Sequence, residues 1–353
     1  MRVLALFAIG MIVHLHVAGT RVVPTMERIM LNDRTFEEVL ADVERRAEQN
    51  LADRVVAVAD IQMAPDGTLT AESTPLTYAL NSHGTRQLAT LLGVRWSAWF
   101  NPSISGPERA DEVNRRLSRT PGKLKLRATR DPDGGPRAIL RALLSASFTP
   151  LDDVRVFRAM ATLIGPFLSD FRFVRVDITE TTSHYSAVHI DPRGDARDGL
   201  HPGWHLRNSE VGASALSLDD FWWRLVCANG LTLELDKRLL YRTHRPADDG
   251  LLSAMLVVAM SKLRDRWDQG AKLFLRARED RVPHPDAAVE SVLDSPEVPR
   301  RLVEEAQRAA LASGDPTRFG VVQAITLVAH TTNTDPDVRF AMERRAGQYL
   351  AAA

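Results

Sequence analysis

Two segments near the middle of the chain concentrate side chains able to hold or transform a ligand. The first, Gly203-Trp-His-Leu-Arg-Asn-Ser-Glu-Val-Gly212, sets a guanidinium, an amide, a hydroxyl and a carboxylate between apolar residues and glycines. The second, Asp219-Asp-Phe-Trp-Trp-Arg-Leu-Val-Cys-Ala-Asn-Gly230, places Arg224 in an otherwise apolar run. A buried guanidinium is costly unless a carboxylate or phosphate meets it, so Arg224 requires a partner. Glu210 is the expected one, an anionic ligand the alternative. If the two segments converge, Asn208, Ser209, Arg224 and Asn229 line a binding pocket, with Glu210 or His244 as general base and Arg224 holding an anion. The same residues also have structural uses. Asn208 and Ser209 suit turn caps, Glu210 can pair with Arg207 or Arg224, and Gly212 can supply a positive φ.

The histidines do not form a metal pattern. His201 and His205 are separated by Pro202-Gly203-Trp204 with no glutamate between them, and His184 and His189 point to opposite faces of an extended chain. Cys227, the single cysteine, can form neither an internal disulfide nor a thiolate zinc cage, and reads as a small core residue. There is no Walker loop, dinucleotide-binding glycine run or nucleophile elbow. No metal site and no cofactor are expected.

A third group is basic. Arg115, Arg116, Arg119, Lys123, Lys125, Arg127 and Arg130 follow Trp96 and Trp99, a combination suited to neutralising a phosphate backbone and stacking bases of single-stranded nucleic acid. Its plain alternative is a solvated face. Lysines plus arginines and aspartates plus glutamates both number 45, so the summed field attracts no polyanion and any such site must be a local patch. The later group from Lys262 to Arg278 is interleaved with acids and reads as an exposed helix laced with i,i+4 pairs.

The elements that must position these residues follow from periodicity and breakers. Helices are predicted at Thr35 to Leu51, capped by Thr35 with Glu38, and at Gly84 to Leu92, Pro107 to Leu117 and Asp152 to Leu168. Val55 to Met63 and Thr70 to Tyr78 read as a hairpin about the turn Pro65 to Thr68, and Asp131 to Pro136 is the strongest turn before a strand at Ala138 to Leu144. Further strands are predicted at Phe171 to Ile178, Ser186 to Ile190, Trp204 to Asn208, Ala213 to Leu218 and Leu231 to Leu235, with a helix from Asp219 to Ala228. One long helix from Leu251 to Ala277 and four shorter ones fill the C-terminal third.

The expected class is therefore α+β, with a mixed or antiparallel central sheet and a helical C-terminal third. Residues 26–250 form the core and 251–353 a helical region packed on it. Residues 1–25 are an extension: their apolar run from Val3 to Val13 is too short to span a bilayer, and Ala18 and Gly19 resemble a signal-peptidase site. A cytoplasmic protein is expected, with export through residues 1–19 as the alternative and no membrane partner.

Several segments together resemble the phage- and plasmid-related family known as domain of unknown function 932. These are Tyr78-Ala-Leu-Asn-Ser with Arg86-Gln-Leu-Ala, the run from Arg137 to Asp152, Asn208-Ser-Glu-Val-Gly212 with Arg224-Leu-Val-Cys-Ala-Asn-Gly230, His244, Ala324-Ile-Thr326 and Glu343 to Gly347. Phe148 stands where that family usually has tyrosine. The resemblance covers roughly Leu31 to Leu350 and implies a mobile-element setting without an activity to carry over. The leading expectation is a nucleic-acid-binding accessory of replication, recombination or maintenance. The rivals are an enzyme around Glu210 and Arg224 and a self-assembling homo-oligomeric structural protein.

Overall fold

The computed structural model describes residues 34–72, 74–95, 104–190, 200–224, 229–233, 238–244, 249–331 and 333–352. Trp96, Trp99, Cys227 and the N-terminal apolar run lie outside the described residues. The fold is α+β, built on one mixed and one antiparallel sheet.

The first sheet has the order β1-β5-β6-β4-β3-β2. Its strands are β1 (Arg54–Ala57), β2 (Ile61–Met63), β3 (Leu69–Ala71), β4 (Thr74–Leu80), β5 (Lys123–Arg130) and β6 (Ala138–Ser145). Helices α2 (Ser82–Leu91) and α3 (Gly106–Leu117) cover one face, where Leu88, Val113 and Leu117 meet Leu126, Ala128 and Leu140. The expected hairpin exists only as β2 and β3, with Asp66 holding the turn through Thr68. A short 3₁₀ turn at Val58–Asp60 detaches β1, which pairs with β5 instead.

The second sheet runs β11-β10-β9-β8-β7, with β12 (Leu240–Arg242) also paired to β10. It comprises β7 (Phe171–Ile178), β8 (Ser183–His189), β9 (Leu200–Asn208), β10 (Leu216–Arg224) and β11 (Asn229–Leu233), all antiparallel. The segment expected as a helix at Asp219 to Ala228 is thus extended up to Arg224. Both faces of this strand are buried, so Leu216 and Leu218 serve one core while Phe221 and Trp223 serve another, and the aromatic run hides its period of two.

Helices α1 (Phe36–Ala47), α4 (Asp153–Leu168) and α5 (Asp249–Ser261) cover one face of this sheet. Phe36, Phe157 and Leu256 pack there on Phe173, Tyr185, Trp204 and Leu218. The capping box foreseen at Thr35 and Glu38 is present. The predicted long helix ends at Ser261 and a new one, α6 (Leu263–Glu279), starts at Leu263. An i to i−3 bond from Lys262 N to Ala259 O marks the break, with no proline or glycine to announce it. Helices α6, α7 (Pro285–Leu293), α8 (Arg300–Ser313), α9 (Arg318–Thr331) and α10 (Pro336–Ala351) enclose their own apolar cluster around Phe274, Val322, Ile325 and Met342.

Helix α10 lies against the second sheet through a polar seam. Asp337 accepts hydrogen bonds from Arg207, Thr182 and His184, while Phe340 stacks on His205 with ring centroids 4.9 Å apart. Burial pushes His184 down and, together with His184 and Arg175, pushes His205 well down, which favours the neutral form of each ring. One set of tautomers then satisfies the chain: Ser186 Oγ–H donates to His205 Nδ1 at 2.8 Å, His205 Nε2–H to His184 Nδ1 at 3.2 Å, and His184 Nε2–H to Asp337 at 3.3 Å. Next along the helix, Glu343 takes both Arg175 and His330.

Candidate functional site

The two sheets meet where β5 and β6 face the loop after β9, and the Asn208-Ser-Glu-Val-Gly212 motif sits in this seam. Asn208 donates to Leu151 O and to Asp153 Oδ1, each at 2.8 Å. Ser209 closes the turn, donating to Thr181 O at 2.6 Å and accepting from Val211 N and Ala213 N. Gly212 has φ +78°, and an added Cβ would press on Phe148 and Leu144. The turn cap anticipated for Ser209 and the positive φ anticipated for Gly212 are present, whereas Asn208 caps no turn and instead ties the end of β9 to the start of α4.

Glu210 does not take Arg207, which pairs with Asp337 instead. Its Oε2 accepts from Arg141 Nη1 at 2.7 Å and its Oε1 from Asp153 N at 3.1 Å. It therefore caps the start of α4 from a distant loop, because Asp152, at the N-cap, makes no side-chain cap and instead meets Arg127. Burial opposes its ionisation, but Arg141 and Arg127 hold the Glu210 carboxyl below its ordinary value. A carboxylate with both oxygens engaged and a depressed pKa is a poor general base.

Behind it, Asp153 is 1% exposed and accepts from Ser183 Oγ at 2.5 Å and Tyr185 OH at 2.8 Å. Burial and the neighbouring Glu210 push its carboxyl up. Burial likewise pushes Asp152 up to about 6, against the pull of Arg127.

The other proposed residues are placed elsewhere. Arg224 pairs across the sheet with Leu200 and Asn229, at the end of β9 opposite Asn208. At about 3.3 Å per residue the eight-residue step separates them by roughly 25 Å, so the pocket expected from Asn208, Glu210, Arg224 and Asn229 together does not assemble. His244 donates from Nε2 to Ser214 O at 2.9 Å and stacks on Phe148; burial pushes its pKa down, and it serves the packing of this corner.

The basic stretch is also divided. Arg115 and Arg116 both pair with Glu112, and Arg116 donates to Leu92 O. Lys125 donates to Phe148 O, and Arg127 is buried between Asp53 and Asp152. The alternation of β5 sets Lys125 and Arg127 on one face, where Lys125 is spent on a backbone carbonyl and Arg127 on two acids of the seam between the sheets. Of the seven basic residues, Arg119, Lys123 and Arg130 stay exposed without a side-chain partner among the described residues.

What the seam leaves open is a groove. A cavity of about 440 Å³ lies between the C-terminal end of α1 and the β5-β6 hairpin, lined by Arg46, Asn50, Arg130, Arg141, Asp153 and Glu210 among others. Arg141 is held by Glu210 and by Asn50 Oδ1 at 3.0 Å. Arg46 and Arg130 make no side-chain ion pair or hydrogen bond among the described residues. Three guanidiniums thus face two carboxylates, one of which is pushed toward its neutral form, and the lining favours an anion. A second cavity of about 470 Å³ continues along the hairpin and shares Gln49, Arg130 and Pro132 with the first. Sequence reasoning missed Arg46, which reads as a last-turn cation complementing the α1 dipole, and Arg141, masked within a predicted strand.

No group of three or more histidine, cysteine, aspartate or glutamate residues suited to a metal occurs among the described residues, and none of their helices is long and apolar enough to cross a membrane. No protein-family model, curated protein or solved structure matches the chain, so the family resemblance rests on its motif residues alone.

Proposed function

We propose that the protein binds single-stranded nucleic acid, with the phosphate backbone lying in the groove between α1 and the β5-β6 hairpin. The observation that carries this reading is a pair of guanidiniums, Arg46 and Arg130, without a side-chain partner among the described residues, on the walls of a cavity that Arg141 also lines. Guanidiniums suit phosphate geometry, and a basic groove of this kind can track the backbone of one strand. The net charge of zero means that attraction must come from this patch and from exposed Arg119 and Lys123. The resemblance to a phage- and plasmid-related family, with its mobile-element setting, supports the same partner.

Catalysis at the same place is less well supported, because Glu210 is spent on the α4 backbone and on Arg141. The test is photo-crosslinking of a thiothymidine-substituted single strand to the full chain, followed by peptide mapping. The groove reading predicts crosslinks within residues 43–51 and 129–141. Crosslinks confined to other regions would remove the groove as the contact.

A further inference from the structure

The two cavities beside the hairpin adjoin through a shared rim, the first holding three guanidiniums and the second a set of apolar walls, an arrangement that suits the two halves of a nucleotide. The first is walled by guanidiniums and carboxylates. The second is walled by Leu51, Leu76, Pro132, Pro136 and Ala138, with Gln49, Arg130, Asp131 and Arg137 as its polar side chains. Two of its three charged residues are already engaged: Arg137 pairs with Asp66 at 3.1 Å, and Asp131 Oδ1 accepts from Asp133 N at 3.0 Å, which leaves Arg130. Apolar walls with a small number of placed polar groups are what a flat heterocycle requires.

The shared rim supplies such a polar group. Gln49 lines both cavities, and its side-chain amide makes no hydrogen bond among the described residues. A carboxamide offers one acceptor and two donors, and pairs with base edges through two parallel bonds. Its backbone is fixed, since Gln49 O accepts from Arg130 N at 2.8 Å and from Thr129 Oγ1 at 2.9 Å, so the side chain projects from a rigid position beside Arg130. Arg130 is itself common to both cavities, which places the anion-binding group next to the apolar one.

We infer that the second cavity receives a nucleobase of the bound strand, held against Leu51, Leu76 and Pro132 with its edge toward Gln49, while the adjoining phosphate meets Arg46 and Arg130. This rests on the groove reading above and adds that the site takes a base as well as a backbone. Unstacked single strands can turn a base into such a pocket, whereas a paired duplex cannot without breaking a pair.

The test compares a labelled oligothymidylate with an abasic strand of the same length and charge, titrated onto the full chain at low salt. The base-containing strand is expected to bind about tenfold more tightly, the order of one base packed on a protein surface. Leu76→Ala and, independently, the exposed-site change Gln49→Ala should narrow that ratio, with circular dichroism confirming that both variants are folded. Equal affinity for the two strands, or a ratio untouched by either variant, would overturn the base pocket and leave the groove reading standing. Failure of both strands to bind would overturn the base pocket and the groove reading together.

Discussion

Glu343→Ala should be among the most destabilising single changes in the protein, at about 3–5 kcal/mol, because it strands a buried cation. Glu343 is fully buried and takes Arg175 Nη1 at 2.6 Å, Nη2 at 3.2 Å and His330 Nε2 at 2.8 Å. Burial opposes its ionisation, yet Arg175 and His330 hold its carboxyl well below the usual carboxylate range. Removing it leaves Arg175, 7% exposed, with Asp177 at 3.4 Å as its one carboxylate partner among the described residues. Urea unfolding of the full chain measures the loss. The double change Arg175→Met with Glu343→Leu removes both charges at similar volume and is expected to recover most of it. If the single and double variants were equally destabilised, the cost would be one of packing and not of charge.

Asp220→Asn is expected to change how stability depends on pH. Asp220 is 2% exposed, its Oδ1 has no hydrogen-bond partner among the described residues, and its nearest cation is Arg266 at 3.9 Å. Burial, with Asp219 adding to it, pushes the carboxyl up to about 7 against the pull of Arg266. A carboxyl raised above its unfolded value contributes stability that is present below the unfolded pKa and is lost as pH rises through the folded one. The native state must therefore give up a proton between pH 5 and 8.5, at a cost of about 3 kcal/mol in that window. The asparagine variant has no proton to lose. Its stability relative to the parent should rise by about that amount from pH 5 to 8.5, a comparison in which the buried histidines cancel. Parallel pH profiles for parent and variant would show that Asp220 does not titrate in this range.

Local signals made much of the fold legible. The Thr35 and Glu38 capping box, the Asp66 turn and the alternation of Phe171 to Ile178 involve neighbours in sequence, and each is found where it was expected. The segment at Asp219 was misread because a strand buried on both faces loses its alternation, and the break at Lys262 carries no proline or glycine. The site was legible only in part. Glu210 was singled out, but its partners Arg141 and Asp153 lie 69 and 57 residues away, and nothing local distinguishes Arg141 from the other arginines of the chain. The basic stretch misled for a related reason: composition counts charges, whereas Lys125 and Arg127 are spent on the seam between the sheets.

The groove reading is tested most directly by fluorescence anisotropy of a labelled single strand over a range of salt, comparing the parent with the double variant Arg46→Glu and Arg130→Glu. Each phosphate contact on a single strand contributes about −0.7 to the slope of log affinity against log salt. The parent should bind with a clear negative slope, prefer single strands over duplex, and lose about 1.4 from the slope magnitude when both arginines are reversed. An unchanged affinity and slope in the double variant would contradict the assignment of this groove as the nucleic-acid site.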